Sequence, residues 1–208
     1  MKLWLYILVV LNFFSVFAQN KHDEKINALI DQYTADHELK CEIIVKIEIE
    51  GMHIPDKKIY TEFKKDEKPI IKGEGLTLFP KKGTMNQFNE LLSSPLQAIF
   101  LSKIKDNLVY KLVSLDQNSD WITADIIFNE QTNLIYESTV NTRKFGTFHT
   151  VNSYNDQIYP SKSTITFDIK KIKIPLKFVG REQSVSNYSD QNEDEEVKGK
   201  IILLYQYF

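Results

Sequence analysis

The side chains able to do chemistry are few here and widely spaced. Four histidines, His22, His37, His53 and His149, stand singly along the 208-residue chain, and Cys41 is its one cysteine. No G-x-S-x-G elbow, G-x-x-x-x-G-K loop, H-E-x-x-H helix or C-x-x-C pair occurs, so nucleophilic, phosphate-cradling and zinc-type chemistry lack their usual scaffolds. His22-Asp23-Glu24 offers possible metal ligands, yet carboxylates at the start of a helix also serve its dipole. Asp120 and Asp125 flank Trp121 at offsets that suit a turn and a wet strand face better than a paired acid and base. Cys41 opens an apolar strand and reads as a small buried hydrophobe. No catalytic residue, metal or cofactor is expected, and the chain does not read as an enzyme.

Charge narrows the partners. With 26 Lys and Arg against 28 Asp and Glu, the net charge is -2, and the two signs are interspersed. No single-sign field points to nucleic acid or to an anionic membrane. Tyr110, Trp121, Phe128, Tyr136, Phe145 and Phe148 could stack bases, but no basic stripe accompanies them, so nucleic-acid binding is not expected.

The positions of these residues are set by elements legible in the hydrophobic pattern. The opening "MKLWLYILVVLNFFSVFA" has one charge, Lys2, an apolar run of about fifteen residues, and Val16-Phe17-Ala18 as a loose cleavage site. A cleaved signal peptide, 1–18, is expected in preference to a membrane anchor, which needs about twenty residues. Export without a possible internal disulfide suits a bacterial periplasm. Residues 19–208 then form a single domain.

Ile26, Leu29, Ile30 and Tyr33 fall on one face of an amphipathic helix. "CEIIVKIEIEG" alternates Ile43, Val45, Ile47 and Ile49 against Lys46, Glu48 and Glu50, the pattern of a half-wet antiparallel strand. "KKIYTEFKK", with Ile59 and Phe63, and "IIKGEGLTL" continue as strands, and Gly73 and Gly75 mark a bulge or a curl. After the Phe79-Pro80-Lys81-Lys82-Gly83 turn comes a helical stripe of Met85, Phe88, Leu91 and Leu92. "LQAIFLSKI" is ambiguous between helix and strand. From residue 108 the pattern is nearly all strand, interrupted by polar turns, an acidic loop at 190–196 and a terminal strand over 198–208. The economical arrangement is α+β: a single curved antiparallel sheet, an unclosed half-barrel, with the N-terminal helix and the helical insertion covering its concave face. A packed core and a hollow are both compatible with that plan.

Several of these stretches, "FKKDEKPIIKGEGLTLFPKKG" and "GTFHTVNSYNDQIYPSKSTITFDI" above all, are similar to the LolA-type and LolB-type periplasmic lipoprotein-carrier superfamily, in a Bacteroidota-like variant. The resemblance spans roughly 21–175. It implies a monomer that holds acyl chains, takes lipid or an acylated lipoprotein as its partner, and meets an inner- or outer-membrane delivery partner. The early-strand arginine of such carriers has no counterpart, because the two arginines are Arg143 and Arg181.

On that resemblance, Pro80 ends the third strand, the basic turn crosses the rim, and the next helix roofs the opening. Phe88, Leu91 and Leu92 would then oppose Ile43, Val45, Ile47, Phe63, Leu76 and Leu78 around an apolar cavity. Lys81 and Lys82 would meet an anionic headgroup. The plainer alternative is that these apolar residues fill a core and the lysines form a solubilising turn. A second functional class, a non-enzymatic envelope sensor or interaction protein of the same fold, would dock a protein partner by the sheet or by an exposed terminal strand that adds to the partner's sheet. The pairing of that strand therefore separates the two classes.

Overall fold

The computed structural model describes residues 24–34, 38–49, 53–63, 70–73, 87–168 and 198–208. The leader, Leu76, Leu78, Lys81, Lys82 and the acidic loop lie outside them, as does the side chain of Phe63. Helix α1 covers 24–34. It is followed by strands β1 (Leu39–Ile49), β2 (Lys57–Phe63) and β3 (Ile70–Gly73), and then by helix α2 (Gln87–Ser93). Seven strands complete the order: β4 (Leu96–Ile104), β5 (Asn107–Ser114), β6 (Trp121–Asn129), β7 (Ile135–Thr142), β8 (Gly146–Tyr154), β9 (Pro160–Asp168) and β10 (Lys198–Tyr207).

All ten strands join one antiparallel sheet in the order β3-β2-β1-β10-β9-β8-β7-β6-β5-β4, which does not close into a barrel. This is the expected α+β half-barrel. The chain thus runs outward from β1 to one edge, crosses to the opposite edge at β4, and meanders back until β10 lands beside β1. The ambiguous segment 96–104 is a strand. Its Leu96, Ala98 and Phe100 pack inward while Ile99 and Leu101 are exposed, a two-sided apolar pattern that hides the period of two.

Turn chemistry follows the sequence. Asn133 and Asp156 take left-handed backbone conformations, which these residue types tolerate better than most, and Lys105 does so in the β4–β5 turn. Asn129 Oδ1 accepts hydrogen bonds from the backbone N–H groups of Gln131 and Thr132, both at 3.0 Å. Gly73 has φ of 154°, and a Cβ there would sit 2.6 Å from the Lys58 carbonyl oxygen, so β3 can approach β2 this closely only with glycine. Register shifts interrupt the β4–β5, β6–β7 and β8–β9 ladders, as expected of bulges that bend a sheet.

The outer face is laced with cross-strand ion pairs. Lys111 pairs with Asp125, Glu48 with Lys200 and Lys40 with Glu62, each directly opposite in register. Glu130 holds Lys103 and Lys25, and the Lys103 hydrogen bond is the main reason its carboxyl lies below the usual range. Pairs of this kind contribute little to stability and serve chiefly to fix which face is wet.

Candidate functional site

The inner face of the sheet carries two apolar clusters with a polar seam between them. The first lies under the helices. Ile26 and Leu29 of α1 and Phe88, Leu91 and Leu92 of α2 pack on Leu108, Tyr110 and Leu112 of β5, Ala124, Ile126 and Phe128 of β6, and Ile135 and Val140 of β7. Phe128 and Tyr110 are among its fully buried side chains, with ring centroids 5.6 Å apart.

Polar contacts fix α1 in place. The Tyr33 hydroxyl accepts from the Ile135 N–H at 3.2 Å, and the Tyr154 hydroxyl donates to the Ile135 carbonyl at 2.6 Å. The two phenols, 3.5 Å apart, thus hold the N–H and the carbonyl of one residue, and burial pushes both above the ordinary tyrosine range. Asn89 donates to the Tyr33 carbonyl at 3.0 Å, tying α2 to α1, and the Tyr33 and Phe88 rings meet edge to face.

The second cluster occupies the other half of the sheet. Cys41, Ile43 and Val45 of β1 pack with Ile59 of β2, Ile165 of β9 and Leu203 of β10, and Ile47, Ile71, Ile201, Tyr205 and Tyr207 lie at its margin. Cys41 is buried and unpaired, and desolvation pushes its thiol up to about 12. The thiolate is the reactive form, so the native protein should resist iodoacetamide at pH 8 and label only after unfolding. Native-state alkylation followed by intact-mass measurement checks this, and stoichiometric labelling within minutes would contradict it.

The sequence expectation that α2 faces β1 is corrected here. Phe88, Leu91 and Leu92 belong to the first cluster, whereas Ile43 and Val45 belong to the second, with Ile47 at its edge. The reason is connectivity: Ser93 ends α2 and Leu96 begins β4, so the short link lays the helix on β4 and its neighbours. Residue by residue, Phe88, Leu91, Leu92, Ile43 and Val45 are packed as core.

Between the clusters, β7, β8 and β9 turn polar side chains inward. Ser138, Thr150, Asn152 and Ser163 are all buried. Ser163 donates to Asn152 Oδ1 at 2.7 Å, and the Asn152 amide donates to the Ile135 carbonyl at 2.9 Å. The Ser138 and Thr150 hydroxyls have no hydrogen-bond partner among the described residues. Sequence reasoning missed this seam.

A separate open cleft of about 690 Å³ sits where β1 and β10 meet residues 53–56, with Ile47, Ile49 and Ile54 among its apolar lining and Lys46, Glu48, Asp56 and Lys200 among its polar lining. These charges are already paired, Lys46 with Asp56 at 3.3 Å and Glu48 with Lys200 at 2.7 Å. Among the described residues no group of three His, Cys, Asp or Glu could hold a metal ion, and no helix is long and apolar enough to cross a membrane.

No family model and no curated protein matches the chain. Its fold does match solved structures. A LolA superfamily protein from Nitrosomonas europaea superposes with a TM-score of 0.54 at 7% identity, over 88% of this chain and 91% of that one. A DUF1329 family protein from Desulfovibrio piger gives 0.50 at 8% identity, over 89% and 90%. The fold is LolA-like. At such identities the likeness is one of architecture, and it extends over nearly the whole of each chain.

Proposed function

We propose that this protein is a periplasmic lipid- or lipoprotein-binding protein, similar to outer-membrane lipoprotein carriers, that sequesters acyl chains against the concave face of its half-barrel. The observation that carries this reading is the inner face itself. A ten-stranded sheet turns a broad apolar surface inward, and the two helices described pack on only one of its halves. Ile43 and Val45 form the packed floor of the other half, and an acyl chain laid against its half-buried margin, Ile47, Ile71 and Ile201, would gain about 0.8 kcal/mol for each methylene buried. In this reading Phe63, Leu76 and Leu78 line the same hollow, and Lys81 and Lys82 meet an anionic headgroup at its rim. Phe88, Leu91 and Leu92 serve by anchoring the helical cover.

One observation supports a carrier over a docking module of the same fold: β10 pairs with β1 on one side and β9 on the other, so it offers no free edge. The alternative, an envelope interaction protein, draws on β4 instead, an edge strand that exposes Ile99 and Leu101.

Native mass spectrometry of protein purified from the periplasm, followed by organic extraction, tests the reading. A co-purifying lipid or acylated peptide is the expected result. A clean apoprotein that also fails to take up a fluorescent fatty acid would remove the acyl-binding function and leave the interaction role.

A further inference from the structure

The polar seam gives the concave face a chemical address. Ile126, Ser138, Thr150 and Ile165 stand opposite one another in succession across β6, β7, β8 and β9. Tyr110 continues the row on one side and Ile201 on the other. Two adjacent hydroxyls therefore interrupt an otherwise apolar row at its centre.

Each of the two is 1% exposed and unpartnered among the described residues. Burying a hydroxyl without a partner is unfavourable, and native proteins rarely keep such a group without a use for it. The neighbouring pair shows that the local geometry permits satisfaction, because Asn152 and Ser163 bond each other and the Ile135 carbonyl. Ser138 and Thr150 keep their donors free, side by side, on the inner face.

We propose that the Ser138–Thr150 hydroxyl pair is the docking point for the acyl carbonyl of a bound lipid or acylated peptide. This rests on the acyl-binding reading above and deepens it. A carbonyl oxygen has two lone pairs and accepts one hydrogen bond from each hydroxyl. Hydrocarbon lies on the second-cluster side of the pair, where Ile201 and Phe148 are half-buried, because Ile126 and Tyr110 on the other side are already packed under the helices. The ligand class that fits is an apolar chain ending in an ester or amide carbonyl, and the hydroxyls set its register along the sheet. A pure hydrocarbon would leave both donors buried and unmet, and so would an alkyl ether at the carbonyl position, which presents a weaker acceptor.

The test compares dilauroylglycerol with the matching didodecyl glyceryl ether, each displacing a fluorescent fatty acid from wild-type protein and from the double variant Ser138→Ala, Thr150→Val. Wild type should prefer the ester by roughly tenfold or more, the worth of two net hydrogen bonds. The double variant should lose that preference while still binding the ether. An N-lauroyl peptide as a third ligand tells the carbonyl sources apart, since whichever acyl class the variant weakens is the class the pair reads.

Thermal melts give a second readout. Because the hydroxyls make no internal bond, the variant should melt no lower than wild type. Equal binding of ester and ether by wild type, or a preference that survives the double substitution, overturns the inference and leaves acyl binding standing. If wild type binds neither ligand, the acyl-binding reading falls and this inference falls with it.

Discussion

A chain ended at Val197 should not fold. Although β10 is last in sequence, it lies inside the sheet, pairing Cys41 to Ile49 of β1 with Tyr207 to Gly199 on one side and Lys162 to Asp168 of β9 with Leu204 to Lys198 on the other. Its loss severs the β1–β3 group from the other six strands and uncovers two long internal edges. It also removes Leu203, which is 1% exposed in the second cluster. A domain has about 5–15 kcal/mol in hand, and the missing ladders and burial exceed that margin. Gel filtration and far-UV circular dichroism should show an aggregated or unfolded chain. A monomer with a cooperative melt would mean that β1 finds another partner.

Leu91→Asp should destabilise the protein by more than about 3 kcal/mol, because it places an unpartnered carboxylate among apolar side chains. Leu91 is 3% exposed in the cluster that joins both helices to the sheet. The melting temperature should fall by roughly 10 °C for a chain of this size. On the proposed function, uptake of a fluorescent fatty acid is lost as well. Lys46→Asp is the counterpart on the wet face. It breaks a pair with Asp56 whose partners are both substantially exposed, so stability should shift by no more than about 1 kcal/mol and uptake should persist. Urea titrations of the two variants beside wild type measure both effects, and equal destabilisation would show that the faces have been assigned wrongly.

The elements that were legible beforehand are those whose pattern comes from burial on one side only. β1 alternates because Ile43 and Val45 point into a core while Lys46 and Glu48 reach water, and α1 shows its stripe because only one face meets the sheet. What stayed hidden is what depends on distant neighbours. Nothing in "IILLYQYF" specifies that β1 and β9 will flank it, since a strand apolar on both faces suits any interior position. The seam was invisible for a related reason. Serine and threonine on a strand suit a wet face, and only the packing shows that Ser138 and Thr150 sit on the same side as Ile126 and Ile165. The helix cover was expected over β1 because the resemblance suggested it, and a short tether to β4 decided otherwise.

The ion pair between Glu48 and Lys200 joins positions 152 residues apart. Pairings so far apart carry a heavy loop-closure penalty and form slowly. As the chain is synthesised, β1 therefore waits for its β10 partner, that edge uncovered, until the 152 residues that separate Lys200 from Glu48 have emerged. Such a nascent protein is exposed to self-association throughout that interval and gains from a holding chaperone at its point of exit.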